Sequence, residues 1–126
     1  MKALLGVLAA VFQLVAFHNA YAHGDHKPKW GGIMGRGDDD VSIELVMEKD
    51  TVALYVEGHD GPLPTKTVKG MLILIGPGRP AQAAPLIPAG DNKLTATGLK
   101  PIPGDRLRAQ ITLPNGDEVS STFTFR

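Results

Sequence analysis

The sequence predicts an all-β fold, namely an antiparallel immunoglobulin-like β-sandwich of about seven strands. From residue 41 onward, apolar side chains recur at every second position, which is the period of a half-buried strand. Clusters of Gly, Pro, Asn and Asp separate these stretches at the spacing of sandwich turns. Beyond the first 22 residues, no window shows the 3.6-residue period of an amphipathic helix.

The alternation is clearest at the two ends of this region. Residues 41–47 and 52–56 alternate on either side of a polar turn at 48–50, which predicts a first β-hairpin. Residues 107–113 and 119–125 predict a second one around Asn115 and Gly116. That pair is typical of a type I′ turn, because both central residues of the turn need a positive φ.

Three further strands are predicted between these hairpins. Residues 71–75 form an unbroken apolar run, which favours a strand buried on both faces. Residues 81–87 contain Pro85, which favours an edge position because proline has no N–H to donate. Residues 93–99 complete the set. The predicted core consists of the inward positions Val41, Ile43, Leu45, Val52, Leu54, Val56, Leu72, Leu74, Leu107, Ile111, Phe123 and Phe125.

The first 22 residues are typical of a secretory signal peptide. Lys2 precedes an apolar segment from residue 3 to 17, and Ala20-Tyr21-Ala22 gives a small-x-small cleavage pattern. The apolar core of about 14 residues is shorter than the ~20 that a membrane-spanning helix needs, so no stable membrane anchor is expected. Three regions follow: a signal peptide over 1–22, a flexible His- and Gly-rich arm over 23–40, and a β-sandwich domain over 41–126.

Composition excludes several classes of function. The chain has 13 basic and 13 acidic residues, so it lacks the excess of positive charge that drives binding to nucleic acid. It has no Cys, which excludes disulfides, thiolate metal sites and cysteine nucleophiles.

An enzyme is not expected either. The sequence contains no nucleophile elbow, no phosphate-binding glycine loop and no zinc-protease motif. Glu44 and Glu57 fall at outward-facing strand positions, where nothing pairs them as a general acid and base.

The strongest candidate site is the predicted mature N-terminus, His23-Gly24-Asp25-His26. After cleavage behind Ala22, the α-amine and the imidazole of His23 can chelate one metal ion, with Asp25 and His26 as further ligands. Such a nitrogen-rich set prefers Cu(II) over Zn(II) or Ni(II). His59 lies in a turn-rich loop and supplies a third imidazole if the fold brings that loop close to the arm.

The mature sequence resembles a family of small periplasmic proteins found with heavy-metal efflux systems of Gram-negative bacteria. It is also similar to extra domains on periplasmic adaptor subunits of resistance-nodulation-division efflux pumps. The similarity covers the His-rich start up to Gly-Gly, the Leu-Tyr-Val strand end, the His-Asp-Gly-Pro loop, a Pro-Ala-Gly-Asp-Asn stretch and the terminal hairpin (residues 23–32, 54–56, 59–64, 88–94 and 107–125). Where the family usually has His before Gly-Gly, this chain has Trp30, which could seat the arm on the sandwich.

This resemblance implies a periplasmic metal-binding accessory protein that holds copper or another divalent heavy metal for efflux, with an efflux adaptor as partner. The alternative is a metal-free β-sandwich interaction module. That module would dock on an envelope complex through the edge strand near Pro85.

Overall fold

A computed structural model describes residues 27–38 and 40–126 of the chain. These residues form ten β-strands, and the predicted all-β antiparallel class is confirmed. The strands are β1 (Ile33–Met34), β2 (Arg36–Gly37), β3 (Ser42–Glu48), β4 (Thr51–Gly58), β5 (Gly61–Pro62), β6 (Lys69–Ile75), β7 (Gln82–Pro88), β8 (Lys93–Thr97), β9 (Arg106–Thr112) and β10 (Glu118–Thr124). Within this part of the chain, no helix is long and apolar enough to span a membrane.

Nine of the strands form one nearly closed, barrel-like antiparallel sheet in the order β1-β3-β4-β8-β7-β6-β9-β10-β2. The short strand β5 pairs with β4 outside this path. Strand β7 joins the two halves, because it pairs with β6 over residues 82–86 and with β8 over residues 87 and 88. The hydrogen bonding is therefore continuous, whereas the sequence predicts about seven strands in two sheets.

The two ends of the sheet are occupied by consecutive segments of the predicted arm. Strand β1 pairs with β3, and β2 pairs with β10. Gly35 lies between them and donates its N–H to the Ile43 carbonyl at 2.9 Å. A Cβ on Gly35 would collide with Ser121 Oγ and lie 2.7 Å from the Phe123 ring, so only glycine allows this close approach. Residues 33–37 thus bridge the gap between β3 and β10.

The core lies inside the barrel and is formed by alternate residues of the long strands. Of the predicted core residues, all are buried except Val41 and Phe125, which are partly buried and pack against the others. The core also includes residues from β7 and β8, such as Leu86 and Leu94. The period-two pattern thus assigned the inward faces of the long strands correctly.

Two local predictions are wrong. Strand β6 is buried on one face only, since Met71 and Ile75 are 40% and 46% exposed; nothing described packs against its outer face. The β9–β10 loop is not a type I′ turn, because Gly116 has a φ of 92° while Asn115 is not among the residues with positive φ. Leu113 donates to the Asp117 carbonyl at 2.8 Å, which makes a three-residue loop with Gly116 at its left-handed position.

One end of the barrel is fixed by the buried carboxylate of Asp105. Its side chain is 1% exposed, forms an ion pair with Arg79 and accepts the Ile102 N–H at 2.9 Å. The Arg79 guanidinium, followed by the Ile102 N–H, holds the pKa of Asp105 below its ordinary value of 3.8. Because Arg79 belongs to the β6–β7 turn and Asp105 precedes β9, this pair joins two distant parts of the chain.

This lowered pKa makes the folded state sensitive to acid. The unfolded chain takes up a proton on Asp105 at a higher pH than the folded chain does. The stability that Asp105 contributes is therefore fully present above its ordinary pKa and is lost as the pH falls through its lower pKa in the folded state. We expect urea midpoints of wild type to fall between pH 5 and pH 2 more steeply than those of Asp105→Asn. Asp60→Asn, which removes an exposed carboxylate, should retain the wild-type slope; equal slopes for all three proteins would contradict the assignment.

Candidate functional site

The predicted metal ligands are only partly covered by the structure. His23, Asp25 and His26 lie outside the described residues. His59 is exposed in the turn between β4 and β5, next to Asp60. Within residues 27–38 and 40–126, no three His, Asp or Glu side chains come together as a possible metal site.

Residues 29–32 of the arm lie across the outer face of β3 and β4, whose next neighbour in the sheet is β8. The strand register places Glu44, Tyr55 and Lys93 side by side on this face. Ser42 and Glu57 form the neighbouring pair. Residues 29–32 cover Glu44 and Tyr55 in this row. We call the space between the arm and these strands the arm cleft. It is lined by Lys27, Lys29, Trp30, Met34, Ser42, Glu44, Tyr55 and Glu57.

Glu44 is the main anchor of the arm. Its carboxylate accepts the backbone N–H groups of Lys29 at 2.6 Å, Trp30 at 2.9 Å and Gly32 at 2.8 Å. The residue is only 4% exposed. An ionised carboxylate accepts hydrogen bonds through both oxygens and donates none, so it suits a group of converging N–H donors. These bonds satisfy a charge that burial alone would make costly.

Aromatic stacking forms the second contact of the arm. The rings of Trp30 and Tyr55 stack with centroids 4.5 Å apart and an angle of 17° between their planes. The expectation that Trp30 seats the arm is confirmed. Trp30 is still 56% exposed, so the far face of the indole remains open to solvent.

Charged groups also contact Tyr55. Lys93 Nζ lies 5.6 Å from the Tyr55 ring centroid and 2.7 Å from a Glu48 carboxylate oxygen. The Tyr55 hydroxyl donates to Glu48 at 3.3 Å. The hydrogen bond from Lys93 lowers the pKa of Glu48, and the same bond raises the pKa of Lys93. Both groups are therefore charged across the neutral pH range.

The arm also contacts the end of β4. Lys29 Nζ lies 2.6 Å from a Glu57 carboxylate oxygen. Glu57 is two residues before His59, so this ion pair fixes the start of the described arm beside the strand end that leads into the His59 turn. The Lys29 side chain is 64% exposed, so this ion pair adds little to the stability of the fold. Its effect is to place the arm next to the end of β4.

Sequence reasoning missed the role of Glu44. Glu44 and Glu57 do face outward from β3 and β4, as predicted. The arm, however, covers Glu44, and Lys29 of the arm pairs with Glu57. The partners of Glu44 are backbone N–H groups, which every non-proline residue carries, so no residue type marks them. The available indication was Trp30 followed by Gly31-Gly32, an aromatic anchor next to residues that allow close backbone approach.

No family model, curated protein or solved structure matches this chain significantly.

Proposed function

We propose that this protein is an exported, periplasmic metal-binding accessory protein with a binding role and not a catalytic one. The N-terminal amine, His23 and His26 form the primary site after signal-peptide cleavage, and Asp25 or His59 completes it. Cu(II) is the preferred ion, ahead of Zn(II) and Ni(II), because nitrogen sites follow that order of affinity. A metal-efflux adaptor is the partner that the family resemblance implies.

The observation that carries this proposal is the ion pair between Lys29 and Glu57. His26 is three residues before Lys29, so its Cα lies at most about 11 Å from the Lys29 Cα. His59 is two residues beyond Glu57, so its Cα lies at most about 7 Å from the Glu57 Cα. Covalent reach therefore allows the arm histidines and His59 to bind one ion at this end of β4.

The proposal is tested by copper titration of the purified mature protein in a calorimeter. Its mass is measured first, and loss of residues 1–22 is expected. We expect His23→Ala combined with His26→Ala to weaken Cu(II) binding by more than about 100-fold. Removing a residue that only hydrogen-bonds to a metal ligand already lowers metal affinity about 10- to 100-fold. His59→Ala should weaken it less. Affinity should fall with pH through the imidazole range, because protons compete for the same nitrogens.

A matched control is Lys27→Ala, which alters the arm next to the histidines without removing a ligand. It should bind copper as wild type does, and all variants should unfold at the wild-type urea concentration. Wild-type affinity in the double histidine variant would refute the site.

A second candidate is a metal-free interaction module, favoured by one feature of β7. Over residues 82–86 this strand pairs with β6, and no described strand pairs with its other side. Pro85 thus lies where the strand is locally an edge, as its sequence predicts. An extended segment of an envelope protein could add there by strand pairing. Absence of copper binding by wild type would favour this function over the first.

We also propose that this fold is an immunoglobulin-like β-sandwich whose two sheets are joined into one. The seven long strands follow the order β3-β4-β8-β7 and β6-β9-β10, which corresponds to the ABED and CFG sheets of that fold. The pairing of β7 with β6 then joins the two sheets at one side.

A further inference from the structure

The two outer faces of the barrel differ in charge, although the whole chain has no net charge. The face of β3, β4 and β8 carries Glu44 and two further glutamates, Glu48 and Glu57, which are paired with Lys93 and Lys29. The outward positions of β2, β10, β9 and β6 instead carry four basic residues and one acidic residue. We call this surface the basic face; its charged residues are Arg36, Lys69, Arg106, Arg108 and Glu118.

The strand register brings the arginines together. Thr122 on β10 pairs with Arg36 on one side and with Arg108 on the other. Strands lie about 4.8 Å apart, so the Cα atoms of Arg36 and Arg108 are about 10 Å from each other. Arg36 and Arg106 also line one shallow groove with the C-terminal residue Arg126.

These arginines are available for a ligand. Among the described residues, Arg79 is the one arginine in an ion pair. Arg108 donates through Nε to Ser120 Oγ at 3.1 Å and makes no ion pair there. The guanidinium groups and the Thr122 and Thr124 hydroxyls thus present hydrogen-bond donors on one open surface, which suits oxygen anions such as phosphates.

An apolar strip on β6 borders the arginines. Its residues Met71 and Ile75 face outward and are 40% and 46% exposed. Ile75 pairs directly with Arg106 across the β6–β9 register. Basic residues beside exposed aliphatic side chains are the composition of protein surfaces that bind a membrane interface, where cations contact headgroups and aliphatic groups enter the acyl boundary.

We propose that the basic face docks reversibly on an anionic phospholipid surface. The arginines bind headgroup phosphates, and the apolar strip enters the region just below them. The glutamate-bearing face then points away from the lipid, so the arm cleft stays open to the aqueous side. Docking of this kind would confine the protein to a membrane surface without a spanning segment. The proposal is independent of metal binding, since it uses none of the proposed metal ligands.

Co-sedimentation with vesicles tests the proposal. Wild type should bind vesicles of phosphatidylcholine and phosphatidylglycerol in equal parts, and binding should decrease as salt is added. It should not bind pure phosphatidylcholine. Because each basic group contributes about fivefold to such binding, Arg106→Gln combined with Arg108→Gln should weaken it about 25-fold. Ile75→Ser should also weaken it, which attraction by charge alone would not explain.

The matched control removes the same charge elsewhere. Lys49 and Lys100 lie at exposed turn or loop positions. Lys49→Gln combined with Lys100→Gln should retain most of the binding to anionic vesicles. Equal losses in both double variants would show that net charge alone acts, and would overturn the assignment of this face. Failure of wild type to sediment with anionic vesicles would also overturn it. If poly-glutamate instead bound wild type but not the arginine variant, the face would be a docking site for acidic protein segments.

Discussion

Replacing Phe123 with Ala is expected to lower the free energy of unfolding by ~3–5 kcal/mol, the usual cost of removing a buried aromatic side chain. Phe123 is 1% exposed and faces the core from β10, where it pairs with Leu107. Its ring also lies against the position where a Cβ on Gly35 would be. The cavity would therefore open both the core and the contact that bridges β3 and β10. Urea denaturation followed by far-UV circular dichroism measures the loss.

Two companion variants make this result specific. Thr124→Ala changes the neighbouring outward-facing residue of β10 and should shift stability by less than about 0.5 kcal/mol. Phe123→Leu leaves a smaller cavity and should cost clearly less than the alanine variant. A loss below about 1 kcal/mol for Phe123→Ala would show that the ring is not part of the core.

The location of this core was predictable because it depends on a local pattern. In a strand, neighbouring side chains point to opposite faces, so alternation alone assigns Ile43, Leu54 and Phe123 to the interior. The unbroken apolar run of β6 does not contain that information. Its outward residues Met71 and Ile75 are as hydrophobic as its inward ones, and only the tertiary structure shows that nothing described covers them.

The closure of the barrel was not predictable for a different reason. Residues 33–37 have no apolar period, and their pairing with β3 and β10 depends on backbone groups that are the same in every sequence. Pro85 indicated an edge strand. It did not indicate that β7 pairs with β6 up to Leu86 and with β8 from Ile87 onward.

The candidate site divides in the same way. Residue type alone suggests nitrogen ligands at His23, His26 and His59, and this remains a prediction. The arm cleft depends on distances between residues far apart in sequence. Glu44 and Trp30 are 14 residues apart, and no spacing rule relates a carboxylate on a strand to N–H groups of a glycine-rich segment.

Replacing Glu44 with Gln is expected to release residues 29–32 from the sheet and to lower stability by about 2–3 kcal/mol. The N–H groups of Lys29 and Gly32 bind different carboxylate oxygens, 2.6 Å and 2.8 Å away. A glutamine has one acceptor oxygen, so in either orientation its amide N–H₂ group would face a backbone N–H donor. The substitution thus keeps the side-chain shape but leaves a donor unsatisfied at a buried position.

Trp30 reports this release directly, because it is the one tryptophan in the chain. Loss of its stacking on Tyr55 should shift its fluorescence toward that of a fully solvated indole, under conditions where far-UV circular dichroism still shows the folded sheet. Glu57→Gln is the matched control: it removes the ion pair with the largely exposed Lys29 but leaves the Glu44 hydrogen bonds, so it should change stability by less than about 1 kcal/mol and leave the fluorescence nearly unchanged. If both variants shifted the fluorescence equally, the Lys29 ion pair and not Glu44 would hold the arm. If neither did, the Trp30–Tyr55 stack alone would be sufficient to seat it.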